Sequence, residues 1–392
     1  MLERLASAAP DALLALIKLH AADQRPDKID LGVGVYRTGQ GGTPVFGAIK
    51  AAERRLVESQ DSKAYLGPEG DMGFVQALMP YVFGEDDPTL GGRVQGMQTP
   101  GGTGAVRLAV ALAKAAGVTR IHLGVPSWPN HAQILADLPL EMVPFDHDCD
   151  DGTANVAAVL AAIRDAGDGE AIVLHGCCHN PTGIDYTAGQ WDEIAAALAT
   201  SKILPIIDLA YQGLGHGMEE DAAGLRKVLA AAPEALVAYS CDKNFGLYRD
   251  RVGAFYVMAR DAGQLPAIMS NAAALARANW SMPPDHGGAA VRLVLEDPEL
   301  TAQWLDELDT MRTRMRQVRE RLAAAGRVGS LDLAPVAGQN GLFSMLALNK
   351  DQIARLRADH GVYMAGSGRI NVAGLTQGNI ERFIAALADV AD

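Results

Sequence analysis

Three short apolar runs, each ending on polar residues, constrain this chain more than anything else in it. Ala171-Ile172-Val173-Leu174 leads into His175-Gly176-Cys177-Cys178-His179-Asn180-Pro181-Thr182-Gly183. Leu204-Pro205-Ile206-Ile207 ends on Asp208, with Ala210 and Tyr211 just beyond. Ala235-Leu236-Val237-Ala238-Tyr239 leads into Ser240-Cys241-Asp242-Lys243 and on to Arg251. Strand-like runs of this kind alternate with helical patterns along the chain, which reads as an α/β fold. Ligands of open α/β sheets gather beyond the carboxyl ends of the strands. The three runs would deliver Asn180, Asp208 with Tyr211, and Lys243 to one edge.

The residue types at that edge suggest a chemistry. An amine that must form a Schiff base needs a fixed, partly desolvated position that lowers its pKa. Ser240 stands three residues before Lys243 and Arg251 eight after it, and a hydroxyl with a guanidinium suits a phosphate. Together they point to a lysine holding a phosphorylated aldehyde, a description that fits pyridoxal 5'-phosphate. Alone, the segment reads equally well as a surface Lys/Arg loop. The other two strand ends tip the balance. Asp208 suits a protonated pyridine nitrogen, and Asn180 with Tyr211 suits hydrogen bonds to a phenolate oxygen. Gly101-Gly102-Thr103-Gly104 opens an amphipathic segment from Val106 to Ala116, and amides at a helix start suit an anion. Those glycines lack the Gly-x-Gly-x-x-Gly spacing of a dinucleotide site, which argues against a nicotinamide-dependent dehydrogenase.

Composition excludes some classes. The 392 residues carry a formal net charge of −13, which argues against nucleic acid or an anionic membrane as a partner. No apolar run approaches the roughly 20 residues of a membrane span, and Met1-Leu2-Glu3-Arg4-Leu5-Ala6 does not read as a signal peptide. The four cysteines show no metal-ligand spacing and read as buried thiols of a protein in the reducing cytoplasm. Thr301 to Ala325 and Gln377 to Asp392 read as helices.

These motifs, from Leu31-Gly32-Val33-Gly34-Val35-Tyr36 to Ser367-Gly368-Arg369-Ile370-Asn371-Val372-Ala373-Gly374, resemble the fold-type-I pyridoxal-phosphate aminotransferases of class I, in the aspartate/aromatic subfamily. The likeness covers nearly the whole chain. It implies a large domain over residues 46–311, with a mostly parallel seven-stranded sheet flanked by helices. Residues 1–45, an N-terminal arm with part of the small domain, and 312–392 would complete a smaller discontinuous α/β domain. It implies Lys243, Asp208 and Tyr211 as catalytic residues. Gly102, Thr103, Ser240 and Arg251 would cradle the phosphate, with Tyr65 reaching it from a neighbouring subunit. Trp128 and Ala210 would cover the two faces of the cofactor ring, with Asn180 at its oxygen. Arg369 would grip the substrate α-carboxylate and Arg277, from the partner subunit, a distal carboxylate. Trp128, Asn180 and Gly34, beside Val33, would also meet the substrate. No metal is implied. His131 and His179 read as hydrogen-bonding neighbours.

The resemblance implies transfer of amino groups from aspartate or aromatic amino acids to 2-oxoglutarate in a ping-pong cycle, by a homodimer with shared sites. A β-lyase or decarboxylase on the same scaffold, or a non-catalytic sensor, is the alternative. Two departures stand out. Asp242 replaces a small hydroxyl residue, and its carboxylate either raises the pKa of the neighbouring imine or caps a turn. Ala64 and Met282 stand where aspartate specialists carry amide side chains, which suits an aromatic ring.

Overall fold

Ala235–Ser240 is apolar on both of its faces, and a strand of that pattern needs cover on both sides. In the computed structural model, which describes residues 1–7 and 12–391, it lies inside a seven-stranded sheet. The strands are β1 (Val94–Pro100), β2 (Arg120–Val125), β3 (Glu141–Asp146), β4 (Glu170–His175), β5 (Leu204–Leu209), β6 (Ala235–Ser240) and β7 (Val252–Met258). Their order is β1-β7-β6-β5-β4-β2-β3, and only the pairings made by β7 are antiparallel.

Parallel neighbours need crossover helices. Ala188–Thr200 joins β4 to β5 and starts with a capping box: the Gln190 amide donates to the Thr187 hydroxyl, and the Thr187 amide donates to the Gln190 side chain. Met218–Ala231 joins β5 to β6 and carries Glu219, Glu220 and Asp221 at its positive end. The Gly101–Ala115 helix packs on β6 and β7, and its Leu108, Ala109 and Leu112 share a core with Val173, Ile206, Ala238 and Phe255. The result is a set of strand ends held side by side. His175 pairs across to Asp208, and Asp208 to Ala238.

The chain divides into two compact units, Pro44–Asn180 with Ile184–Thr313, and Met1–Thr43 with Pro181–Gly183 and Arg314–Asp392. In the second, Ile29–Asp30 pairs in parallel with Val362–Tyr363, and Phe343–Met345 pairs antiparallel with Arg369–Asn371. Leu31, Leu322, Leu356, Ile370 and Phe383 fill its core. Among the described residues no helix is long and apolar enough to cross a membrane.

Three helix boundaries differ from the sequence reading. The helix expected from Val106 starts at Gly101, because the glycines form its first turn. The long helix runs Pro298–Ala323 and starts at a proline, the residue that best tolerates a first helical position. The last helix starts at Ile380 rather than Gln377: the Thr376 amide is held by Asn379 in a preceding turn.

Candidate active site

A buried carboxylate needs a donor. Asp208, 7% exposed at the end of β5, has His131 Nε2 at 3.0 Å. Burial alone would push the carboxyl up. The His131 hydrogen bond, and then the fields of His131, His175 and Lys243, outweigh it and hold the carboxyl below its usual value. The ionised form is therefore the resting one.

His131 is itself positioned. Its Nδ1 lies 3.0 Å from Ser127 Oγ, which lies 3.2 Å from His175 Nε2. The Asn180 amide, which can only donate, lies 3.5 Å from His175 Nδ1. That end fixes every direction in the chain of bonds. His175 Nε2–H donates to Ser127, Ser127 O–H donates to His131 Nδ1, and His131 Nε2–H donates to Asp208.

Behind His175, at 4.2 Å, is His179, and His179 stacks on His147 at 3.5 Å and 7°. His147 Nε2 donates to the Ile184 carbonyl at 2.8 Å. Burial pushes all three rings down, His175 to about 3. A histidine titrating near 6.5 when unfolded and near 3 when folded binds more protons in the unfolded state over that interval. Its contribution is flat above pH 6.5 and is lost as pH falls below it, at about 1.4 kcal/mol per pH unit for His175, with His147 and His179 acting in the same direction. Stability measured by urea unfolding should therefore drop steeply between pH 6.5 and 5, before carboxylates titrate. The drop should be shallower in a His179→Asn variant. A flat stability over that window would contradict the buried, neutral cluster.

Lys243 follows β6 by three residues, and its Nζ sits 5.1 Å above the Tyr211 ring centre. Burial pushes the amine down; Asp242 and Asp208 partly restore it, and Arg251 opposes them. Asn180 Nδ2 lies 3.5 Å from the Tyr211 hydroxyl. Asn180, Asp208, Tyr211 and Lys243 thus come from neighbouring strand ends into one group.

Beside it the first turn of the Gly101–Ala115 helix comes close to Ser240 and Arg251. Gly101 has φ +72°, and a Cβ there would lie 2.5 Å from Arg251 Nη2. A Cβ on Gly102 would lie 2.8 Å from the Ser240 Cβ. Only glycines let the helix start approach Ser240 and Arg251 this closely. Thr103 is half-buried on the same first turn. Asp242 lies at the same place. It accepts from the Val252 amide at 3.2 Å and is ion-paired with Arg251.

Trp128 precedes the Pro129–Asp137 helix, edge-on to His131 at 5.1 Å, and Ala210 follows β5, half-buried. Tyr65 and Arg277 are not brought to this group. Tyr65 is 91% exposed, and exposed Arg277 bonds Ser281 on its own segment. The Leu66 amide lies 3.1 Å from Met282 Sδ, so the segments carrying Ala64 and Met282 are adjacent. In the other unit, Arg369 donates to the Gly32 carbonyl at 3.0 Å, with its guanidinium 4.4 Å over the Phe343 ring. A Cβ on Gly34 would lie 2.6 Å from that same ring.

Sequence reading missed Ser127, His147 and His175, which are scattered in sequence; a histidine ending an apolar run at 175 was the one available signal. It also missed that the Cys177 and Cys178 thiols lie within 4.8 Å of an Asp221 oxygen. The Asp221 carboxylate accepts amides of Gly213, Gly215 and His216 at 2.8–2.9 Å, so it closes the loop after β5.

Residues 26–387 match the family model for aminotransferase class I and II. The chain belongs to that family. This aminotransferase is 50% identical to a tyrosine aminotransferase of Rhizobium meliloti, over 96% of each chain. It is 40% identical to an aspartate aminotransferase of Escherichia coli, over the full length of both. Its fold matches an aromatic-amino-acid aminotransferase of Burkholderia pseudomallei, solved covalently bound to pyridoxal phosphate, with a TM-score of 0.95 at 35% identity over both whole chains. The aminotransferase therefore has the fold-type-I architecture.

Proposed function

We propose that this aminotransferase moves amino groups from aspartate and from tyrosine or phenylalanine to 2-oxoglutarate, with pyridoxal 5'-phosphate as its cofactor. The observation that carries the reading is the group at the strand ends: a half-buried lysine, Lys243, its amine lowered by desolvation, beside a buried ionised carboxylate, Asp208. The relatives are named for tyrosine, aspartate and aromatic amino acids, and none of those described above is named as a lyase or decarboxylase.

The residues present fit the cofactor. The glycine-bounded cradle of Gly102, Thr103, Ser240 and Arg251 offers amides, hydroxyls and a guanidinium to a phosphate. Asp208, kept ionised and oriented by His131, suits a protonated pyridine nitrogen. Asn180 and Tyr211 suit the ring oxygen, and Trp128 and Ala210 its faces. When bound, the cofactor supplies an electron sink and alternates between aldehyde and amine forms, so that one site serves donor and acceptor in turn.

The chain's own residues do the rest. Burial lowers the pKa of Lys243 Nζ, so it gives up its proton more readily than an exposed lysine and is suited to take and return one. Arg369 fixes the α-carboxylate and thereby which Cα bond reacts. Gly34 lies beside the arginine that holds the substrate. Tyr65 and Arg277 act in the site of a second copy, which makes the working unit a homodimer. Their exposure in the single chain supports this, as do exposed Val57 and Leu66. A cytoplasmic location is part of the same proposal, supported by four free cysteines.

The test is kcat/KM for aspartate, tyrosine, phenylalanine and a neutral aliphatic donor, each with 2-oxoglutarate. The first three should exceed the aliphatic donor by at least about tenfold, the value of one or two lost contacts. A preference for the aliphatic donor would reject the substrate assignment.

A further inference from the structure

The cradle already contains an anion. Asp242 is 3% exposed, one oxygen accepts the Val252 amide at 3.2 Å, and the other is ion-paired with Arg251. A Cβ built on Gly101 would stand 3.1 Å from that second oxygen and 2.5 Å from Arg251 Nη2. The carboxylate is therefore seated between the guanidinium and the opening turn of the Gly101–Ala115 helix. Its own amide donates to Ser240 Oγ at 3.2 Å. Arg251, Ser240 and that helix start are the groups assigned above to the cofactor's phosphate.

We propose that Asp242 is a resident anion of the phosphate cradle, which holds Arg251 in place when no phosphate is bound and takes up a proton when phosphate arrives. The inference rests on the assignment of Arg251 to the phosphate. A phosphate dianion brought to Arg251 places a second negative group beside a buried carboxylate, and like charges at such a distance cannot both persist without a large penalty. Protonation removes the conflict. It leaves the Val252 amide with an acceptor and lets the carboxyl O–H donate to a phosphate oxygen, while the five guanidinium donors serve both.

The surroundings of Asp242 set the balance. Lys243 and Arg251, on the following loop, favour its ionised form, as do the amides opening the Gly101–Ala115 helix. Cys241 contributes a buried thiol whose own ionisation is pushed up by burial and by Asp242. The β7 strand contributes the Val252 amide, and Asp250 turns away against Gly287. Burial acts the other way and holds the Asp242 carboxyl above its usual value, the same direction in which a second anion pushes it.

Calorimetry tests this on apoenzyme titrated with inorganic phosphate, which forms no bond to Lys243. Each titration is run at pH 7.5 and 8.5 in two buffers of different ionisation heat. At pH 8.5 the ligand is a dianion and takes up no proton of its own. Wild type should take up as much as one proton per site and lose up to about tenfold in affinity between the two pH values. Asp242→Asn should take up none, bind more tightly at pH 8.5, and keep a flat affinity. No uptake by the wild type at pH 8.5 overturns the proposal whether or not the variant folds, and so does equal uptake by both proteins. Arg251→Gln separates the two ideas. A loss of roughly tenfold or more in phosphate affinity, the value of one charge-assisted hydrogen bond, upholds the cradle, and the proton count then judges Asp242 alone. Unchanged phosphate binding by Arg251→Gln would remove the cradle itself, and the proposal with it.

Discussion

Lys243→Ala should lose turnover by at least about 10⁴-fold, the upper range for removal of a positioned acid–base group, while its circular dichroism and unfolding midpoint stay near those of wild type. Lys243 is half-buried, its amine is lowered by desolvation, and it is held over Tyr211 in the fields of Asp242 and Asp208. None of the phosphate or ring contacts assigned to Ser240, Arg251, Asn180 and Asp208 depends on it. The variant should therefore still bind cofactor, seen as an absorbance change on titration, and be unable to complete one half-reaction with aspartate in a single turnover. Activity within about tenfold of wild type would remove Lys243 from the chemistry.

The second large effect concerns Arg277. In the single chain it is exposed, and an exposed ion pair contributes only about 0–1 kcal/mol. A pair desolvated by a second subunit would cost on the order of 3–5 kcal/mol to break, roughly a hundred- to several-thousand-fold in kcat/KM. The size of the loss thus reports whether a partner closes over the residue. Arg277→Leu should lose aspartate activity by that larger factor and hold or gain with phenylalanine, whose ring carries no distal charge and can pack against Ala64 and Met282. The donor half-reaction is the measurement, because 2-oxoglutarate also carries a distal carboxylate. Mixing this variant with Lys243→Ala should restore activity through hybrid sites. Equal losses for both donors, or no restoration on mixing, would place Arg277 outside a shared site.

Much of the candidate site's grouping was legible because strand ends announce themselves. Three apolar runs stop at His175, Asp208 and Ser240, and a parallel sheet sets those stops side by side. The glycines at 101 and 102 were legible as a helix opening, although the helix reaches further back than its apolar pattern showed. The Asp297-Pro298 pair was a start signal for the long helix; the Asp297 carboxylate accepts the Glu299 and Leu300 amides, which Thr301 alone did not reveal. The chain of bonds from Asn180 to Asp208 was not legible. His131, Ser127 and His175 meet only because β2 and β4 are neighbours, and pairing order is not written in either run. The direction of Asp242 was undecidable for a similar reason. It depends on Val252, ten residues later, returning antiparallel beside β6.

The central claim is that Lys243 carries the cofactor. Borohydride treatment of the holoenzyme, proteolysis and mass spectrometry test it directly. The reduced cofactor should be found on the peptide containing Ser240-Cys241-Asp242-Lys243, at Lys243. A label on any other lysine, or none on a protein that shows the cofactor's absorbance, would contradict it.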